Sequence, residues 1–490
     1  MSIYKKIFQQ TAIYGLATVF PKIIGYLLVT FHTSVMTNVA YGSYSIVFSI
    51  IMLGNVILAF GMETAFFRFY NLQDDKKSVI NNSLLYLAGT SIVFLIIGLL
   101  SKDFWASYLD ISPEIIKYVL WILVLDALVI IPFSKLRAEE RPRFYSAVKM
   151  GNVLLNAFLN VFFLYLLPQL AHHFPNSVFD WIYVEDYQVP YIFIANLIAS
   201  LATLLIFYKD YLAIKLRFNV QLGKQMLRYG FPIMIGGLAF AINESFDKIL
   251  LGRLLPQDIA LEEVGKYGAC YKLGLFMVLF RQAYTLGIEP FFFNYAKNED
   301  APTKYATVTK YFVITGSLVM LGVIVFLDVL KWLMIPNPSY WEAMKVVPLI
   351  ILANFCLGIY TNLSVWYKLQ DRTMVGAYIS IFGAVLTLVF NYLLIPIWSY
   401  MGSAIATLLA YGSMMLISYV MGAKYYPIPY DKKAIVGYFT LSMVLSGVYF
   451  YVFRENYFVG ILFILFFVGM IAYFERGLLS RFLKKKNVGQ

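Results

Sequence analysis

Residues 228–255 read RYGFPIMIGGLAFAINESFDKILLGRLL. The run from Gly230 to Gly252 has the length of a bilayer span, which needs about 20 residues. Yet it carries Asn243, Glu244, Asp247 and Lys248. An ionisable side chain in hydrocarbon costs about 2.5–3.5 kcal/mol on insertion scales, so such groups persist where they face a protein interior or a water-filled cavity. A stretch apolar enough to insert and polar enough to line a cavity predicts a membrane protein with a wet interior.

The rest of the chain has the same character. Of its 490 residues, 61% are hydrophobic, 18% aromatic and 13% charged. Soluble proteins carry about 25% charged residues. A soluble enzyme, a disordered scaffold and a secreted disulfide-rich domain are excluded. Solid apolar runs, in place of weak alternation, argue against an outer-membrane barrel. Fourteen such runs are read, at 10–32, 41–62, 82–101, 115–134, 145–167, 190–208, 230–252, 264–287, 306–328, 343–366, 374–397, 401–423, 433–453 and 457–474. The first follows Lys5 and Lys6; it is too long for a signal peptide and lacks a small-residue cleavage site. Cys270 and Cys356 sit inside apolar runs and read as core residues, with no disulfide or metal framework.

Orientation follows from the basic residues. With the N-terminus in the cytoplasm and charges at span ends counted with their loops, 28 of the 39 Lys and Arg fall inside, 7 outside and 4 within spans. This positive-inside asymmetry predicts cytoplasmic N- and C-termini. Lys484, Lys485 and Lys486 then face the cytoplasm and anchor the topology. The longest outer loop, about 168–189, holds His172, His173, Trp181, Glu185 and Asp186, and reads as a wet polar loop. No loop carries a catalytic His or carboxylate cluster, so the chain is not read as an enzyme, and no cofactor is expected. Residues 209–229 alternate Leu212, Ile214, Leu216, Phe218, Val220 and Leu222 with polar residues such as Lys215, Arg217 and Lys224. This pattern predicts a cytoplasmic interfacial linker.

The two halves repeat. Tyr41-Gly42 recurs as Tyr267-Gly268, an offset of 226. At that offset GMETAFFRFY meets GIEPFFFNYA, so Gly61, Glu63, Phe66 and Phe67 fall on Gly287, Glu289, Phe292 and Phe293. At an offset of 231, Arg141 falls on Arg372 and Asn160 on Asn391. The matched spans run in the same direction, which predicts a parallel repeat of two six-helix lobes. The organisation is 1–208 for the N-terminal lobe, 209–229 for the linker, 230–424 for the C-terminal lobe, and 425–490 for two extra spans and a basic tail. Parallel repeats are a transporter architecture, with the substrate site expected near the midplane where the halves meet.

The intramembrane charges name the candidates. Lys22 lies beside Pro21 in span one, Asp126 in span four, and Lys272 and Arg281 in span eight. Glu244 and Lys248 are four apart and can neutralise each other. Lys272 and Arg281 are nine apart, which on a straight α-helix places them on opposite sides. Lys22, Arg281, Lys272, Asn243 and Asp247 are the expected substrate-binding residues. Asp126, Glu244, Glu63 and Glu289 are candidates for coupling or gating, with pairing of Glu63 to a cation such as Arg68 as the structural alternative. A net basic, polar cavity fits an anion, and Arg fits phosphate through its two-pronged fork.

Together these residues resemble the polysaccharide flippases of the multidrug/oligosaccharidyl-lipid/polysaccharide exporter superfamily. The resemblance is carried by Tyr229, Gly230 and Pro232, by Asp247-Lys248 before Leu251-Gly252, and by Gly265 and Tyr267. It implies an all-α, MATE-like polytopic fold of about fourteen spans. It also implies transport of an undecaprenyl-diphosphate-linked oligosaccharide from the inner to the outer leaflet of a bacterial plasma membrane. Expected partners are that lipid-linked oligosaccharide, membrane lipids, and polysaccharide polymerase and chain-length proteins, and no nucleic acid. A lipid II flippase and a cation-coupled drug antiporter are the alternatives within the superfamily.

Overall fold

A computed structural model of the chain describes residues 3–476 other than 216, 297 and 371, with side chains from residue 13 onward except those of 14, 286, 289, 290, 293 and 294. All regular structure among the described residues is helical. The chain packs as two compact units, Met1–Gly268 and Ala269–Gln490.

The first unit contains α1 (Ile3–Val35), α2 (Asn38–Ala59), α3 (Met62–Leu72), α4 (Lys76–Leu100), α5 (Lys102–Leu109), α6 (Pro113–Ala138), α7 (Pro142–Val161), α8 (Leu167–His173), α9 (Val178–Ile182), α10 (Gln188–Ile206), α11 (Tyr208–Leu212), α12 (Val220–Leu254) and most of α13 (Gln257–Tyr271). Short polar side chains set the starts. Thr37 accepts from the Ala40 N–H at 3.2 Å, Asp75 from Ser78 at 3.1 Å, and Asn219 from Leu222 at 3.0 Å. A π turn at Phe162–Leu166 joins α7 to α8.

Glycines hold α2 at both ends. Phe60 and Gly61, which divide α2 from α3, are both left-handed, with φ of 47° and 65°. A Cβ on Gly61 would strike the Gly230 carbonyl of α12, and one on Gly230 would come within 2.6 Å of the Phe60 carbonyl oxygen. At the other end a Cβ on Gly42 would strike the Leu261 carbonyl of α13, and one on Gly265 the Asn38 carbonyl. Such backbone approach needs glycine. It draws α12 and α13 into the first unit by packing, although the sequence repeat restarts near residue 230.

The linker is pinned to α4. The Asn81 amide donates to the Arg217 carbonyl at 2.9 Å and accepts from the Lys215 N–H at 2.8 Å. Asn82 does the same with Asn219, at 2.7 and 2.8 Å. Asp210 pairs with Lys135 at 2.6 Å. The main chain read as interfacial is therefore hydrogen-bonded to protein, and Leu216 of its apolar alternation lies outside the described residues.

The second unit contains α14 (Leu275–Tyr295), reached through a 3₁₀ turn at Lys272–Gly274, then α15 (Ala301–Val325) and α16 (Leu327–Met334). A 3₁₀ segment, Pro338–Val346, leads into α17 (Val347–Leu363), followed by α18 (Val365–Leu369), α19 (Thr373–Tyr425), α20 (Lys432–Val452) and α21 (Tyr457–Phe474). The 53-residue α19 is two helices folded at Ser399, whose φ of 48° and ψ of −137° leave the helical region. Gly402 completes that fold, since a Cβ there would strike the Leu394 carbonyl.

The repeat is visible in the element boundaries. α4, α5 and α6 begin at 76, 102 and 113, whereas α15, α16 and the 3₁₀ segment begin at 301, 327 and 338, each 225 later. Their ends, 100, 109 and 138, recur at 325, 334 and 363 with the same spacing. Arg141 and Arg372 are the N-cap residues of α7 and α19. Asn160 and Asn391 are both buried, and each amide donates to the carbonyl four residues back, at 2.8 and 2.7 Å.

Among the described residues, twelve helices are long and apolar enough to cross a membrane. The fourteen runs of the sequence differ from these in two places. They divide α19 into two, and they count 264–287, whose helices α13 and α14 are not among the twelve. The short helices α5, α9 and α16 expose Trp105, Trp181 and Trp332, as suits segments at a membrane–water boundary.

Candidate functional site

The polar part of α12 is buried inside the first unit. Asp247 and Lys248 are 2% and 7% exposed, too little for water to solvate either charge alone. Lys248 Nζ lies 3.0 Å from Asp247 Oδ1, which also accepts the Lys248 backbone N–H at 2.8 Å. The other carboxylate oxygen accepts the hydroxyl of fully buried Tyr267, on α13, at 2.6 Å. Asp247 thus uses most of its lone pairs inside the protein and neutralises its chain neighbour. The sequence pointed to Glu244 as the helical partner of Lys248, yet the structure also brings in Asp247. The Tyr267 hydroxyl was not anticipated as a partner; its sequence signals were its place in the Tyr-Gly repeat and in the motifs of the family resemblance. Asn243 is buried and Glu244 half-buried on the same helix.

Lys272 and Arg281 belong to the second unit. Lys272 opens the 3₁₀ turn that separates α13 from α14, and is half-buried. A 3₁₀ step turns 120° and an α step 100°. The two cations are therefore about 120° apart around the helix, in place of the 180° of a straight span. Arg281 is half-buried, with its Cγ near Gly358 of α17 and its Nε buried without a hydrogen-bond partner. Among the described residues no carboxylate lies within ion-pair distance of it. A guanidinium held in this way keeps an unused donor, the chemistry that receives an anion.

The remaining candidates separate. Lys22 is half-buried in α1, one residue after Pro21. Asp126 on α6 accepts the Ser200 hydroxyl at 2.8 Å and the Asn55 amide at 3.4 Å, so it is held by neutral donors from α10 and α2. Glu63 is exposed and pairs with Arg137 at 2.6 Å, while Arg68 stacks on Tyr229 with 4.4 Å to the ring centroid. Arg68 lies five residues on from Glu63, about 140° round the helix, which is why the partner comes from α6. The Glu289 side chain lies outside the described residues, as do Lys484, Lys485 and Lys486. His172 and His173 are exposed. Among the described residues no group of three His, Cys, Asp or Glu is placed to hold a metal ion.

Two clusters went unread in the sequence. Arg454, in the turn joining α20 to α21, grips Asp328 through Nε at 3.0 Å and Nη2 at 2.9 Å, and Lys331 adds a contact at 2.5 Å. At the opposite ends of those helices Lys310 pairs with Glu475 at 2.5 Å and Asp431 at 3.3 Å. The signal was available in the repeat: 225 residues before Lys310 stands Leu85.

Comparison with known proteins agrees with this architecture. The model of the family described as polysaccharide biosynthesis protein matches residues 7–295, and the MatE model matches residues 232–393. No curated protein matches the chain by sequence. Among solved structures, lipid II flippase MurJ in an inward closed conformation is similar, with a TM-score of 0.71 and 15% identity over 96% of this chain and 100% of that one. An inward-facing multidrug resistance MATE family transporter of the MOP superfamily has a TM-score of 0.59 and 14% identity over 87% of this chain and 95% of that one. The Vibrio cholerae MATE transporter VcmN has a TM-score of 0.58 and 16% identity over 86% and 96%. At these identities the structural likeness is one of fold, and it is the MATE-like fold that the family resemblance implied. With more than half of its length matched, the chain belongs to the polysaccharide biosynthesis protein family, within the multidrug/oligosaccharidyl-lipid/polysaccharide exporter superfamily of membrane transporters.

Proposed function

We propose that the protein is a flippase that moves an undecaprenyl-diphosphate-linked oligosaccharide from the inner to the outer leaflet of a bacterial plasma membrane by alternating access. The observation that carries this reading is Arg281, a partly buried guanidinium with an unpartnered Nε and no carboxylate beside it among the described residues. Its fork can give two hydrogen bonds to a diphosphate, and Lys22 and Lys272 supply further positive charge. Asn243 and Asp247 are the further substrate-binding candidates, Asp247 through the Lys248 that it holds. Asp126, Glu244, Glu63 and Glu289 are the candidates for coupling or gating. No step breaks a covalent bond, so the protein acts as a transporter and not as an enzyme. The family match supports a polysaccharide cargo.

The membrane potential suffices as a driving force. One elementary charge crossing 100 mV gains about 2.3 kcal/mol, so a diphosphate with two negative charges leaving an inside-negative cell gains about 4.6 kcal/mol. Reconstituted protein should therefore flip polyprenyl-diphosphate oligosaccharide faster when ionophores set the inside negative. A rate indifferent to both the potential and the cation gradients contradicts this. Lipid II is the second reading, favoured by the likeness to MurJ over the full length of that chain. Deletion distinguishes them: loss of surface polysaccharide with normal cell-wall growth supports the first reading, and arrested wall growth the second.

A further inference from the structure

A cavity of about 570 Å³ opens in the second unit where the start of α20 and the end of α21 meet α15. Its polar end holds Lys310, Asp431, Lys433 and Glu475. Lys310 Nζ lies 2.5 Å from Glu475 and 3.3 Å from Asp431, and Tyr311 donates to Glu475 at 3.4 Å. Lys310 and Glu475 are largely buried, whereas Asp431 is half exposed and also caps α20 through the Ala434 N–H at 3.2 Å. Two carboxylates and two ammonium groups give the cavity no net charge, but both signs face one space. Its other wall is apolar, formed by Leu441, Met470 and Phe474.

We propose that this cavity binds a phospholipid whose head group carries both a phosphate and a primary ammonium. The chemistry of the walls selects it. A soluble ion or a sugar makes no use of Met470 and Phe474. An anionic head group would use Lys433 but bring no cationic donor to Asp431 and Glu475, which share the single ammonium of Lys310. A zwitterionic head group matches both signs: its ammonium donates to the carboxylates, its phosphate accepts from Lys433, and its acyl chain lies along Leu441 and Phe474. The charged end of the cavity sits at the first residues of α20 and the last of α21, where a head group sits relative to spanning helices. This lipid is a resident of the C-terminal helix pair and not the transported cargo, so the inference stands apart from the transport reading.

Native mass spectrometry of the full chain, supplied with phosphatidylethanolamine, phosphatidylcholine or phosphatidylglycerol at equal concentration, tests it. Phosphatidylcholine has the same charges but no N–H donor. Phosphatidylethanolamine should be retained about tenfold more strongly than either. Gly437 lines the cavity with nothing within 4 Å of a Cβ built on it, so Gly437→Leu starts its side chain in open space and fills the cavity, with the unfolding midpoint as the check on folding. That variant should bring ethanolamine-lipid retention down to the level of the choline lipid. Asp431→Asn keeps the helix cap, since Asn caps as well as Asp, and should weaken ethanolamine-lipid retention alone. Equal retention of the three lipids, a preference for phosphatidylglycerol, or unchanged retention in both variants overturns the proposal.

Discussion

Asp103 on α5 and Asp328 on α16 occupy the same place in the two halves, 225 residues apart, on helices of eight residues each. Their surroundings could hardly differ more. The Asp103 side chain is 76% exposed and its ion pair is a loose 3.9 Å contact with Lys102. Asp328 is 7% exposed, gripped by both prongs of Arg454 and by Lys331. The same holds at the other end of the preceding span, where Leu85 of the first half becomes Lys310 of the second. The backbone plan was duplicated, and the charges were not. Those of the second half fasten α20 and α21 at both ends, through Arg454 at one and through Asp431 and Glu475 at the other. Between these ends the contact is close and carries no ion pair among the described residues. Gly460 sits against Val325 and Tyr449, and the Tyr449 hydroxyl donates to the Val325 carbonyl at 3.1 Å.

The sharpest break of this comparison removes each aspartate in turn. Asp328→Ala leaves Arg454 and Lys331 partly buried, with only the exposed Glu455 at 3.9 Å from Lys331 as counter-charge, and should cost about 3 kcal/mol of stability, toward the lower end for broken buried pairs. Asp103→Ala should cost less than about 0.5 kcal/mol, as exposed pairs do. Thermal unfolding of the two variants in the same detergent decides it, and similar losses would refute the contrast.

Gly42 and Gly268, related by the 226 offset, sharpen it further. A Cβ on Gly42 meets the Leu261 backbone, which cannot yield. One on Gly268 meets the Ser45 hydroxyl at 2.8 Å, the end of a side chain that can rotate. Gly42→Ala should destabilise by about 2 kcal/mol, within the usual range for overpacking, and Gly268→Ala by less. The reverse order in unfolding midpoints would show that α2 and α13 are not held by backbone contact.

A smaller effect concerns pH. Burial alone would raise the Asp328 carboxyl, but the Arg454 and Lys331 hydrogen bonds and charges outweigh it and hold it below its ordinary 3.8. A depressed carboxyl stabilises the fold above its unfolded value, and that contribution is lost as pH falls through the folded one. Unfolding midpoints of the wild type should therefore drop more steeply below pH 4 than those of Asp328→Asn. Parallel curves would contradict the assignment.

Much of this was legible in the sequence. Apolar runs located the spans because span length is fixed by the bilayer. The repeat surfaced through residues with a backbone or polar task, such as Gly42, Arg141 and Asn160, which are hard to replace. Ion-pair partners were less legible. Helical spacing suggested Glu244 for Lys248 and a cation near Glu63 such as Arg68. The structure also brings in Asp247, the chain neighbour of Lys248 on the same helix, and for Glu63 it brings Arg137 from α6, because side-chain direction and packing between helices are not encoded in spacing. The 3₁₀ turn at Lys272 was equally hidden, and it changed the relative direction of Lys272 and Arg281. Arg281 stands out in the sequence as a candidate because an arginine in an apolar run is expensive wherever it points.

The proposed transport turns on that guanidinium receiving the diphosphate of a lipid-linked oligosaccharide. The most direct measurement is flipping of a polyprenyl-diphosphate oligosaccharide by reconstituted wild type, Arg281→Lys and Arg281→Ala, each checked for folding by its unfolding midpoint. The account predicts loss of flipping in Arg281→Ala at an unchanged midpoint and partial activity in Arg281→Lys, which keeps the charge and loses the fork. Wild-type flipping by folded Arg281→Ala would contradict it.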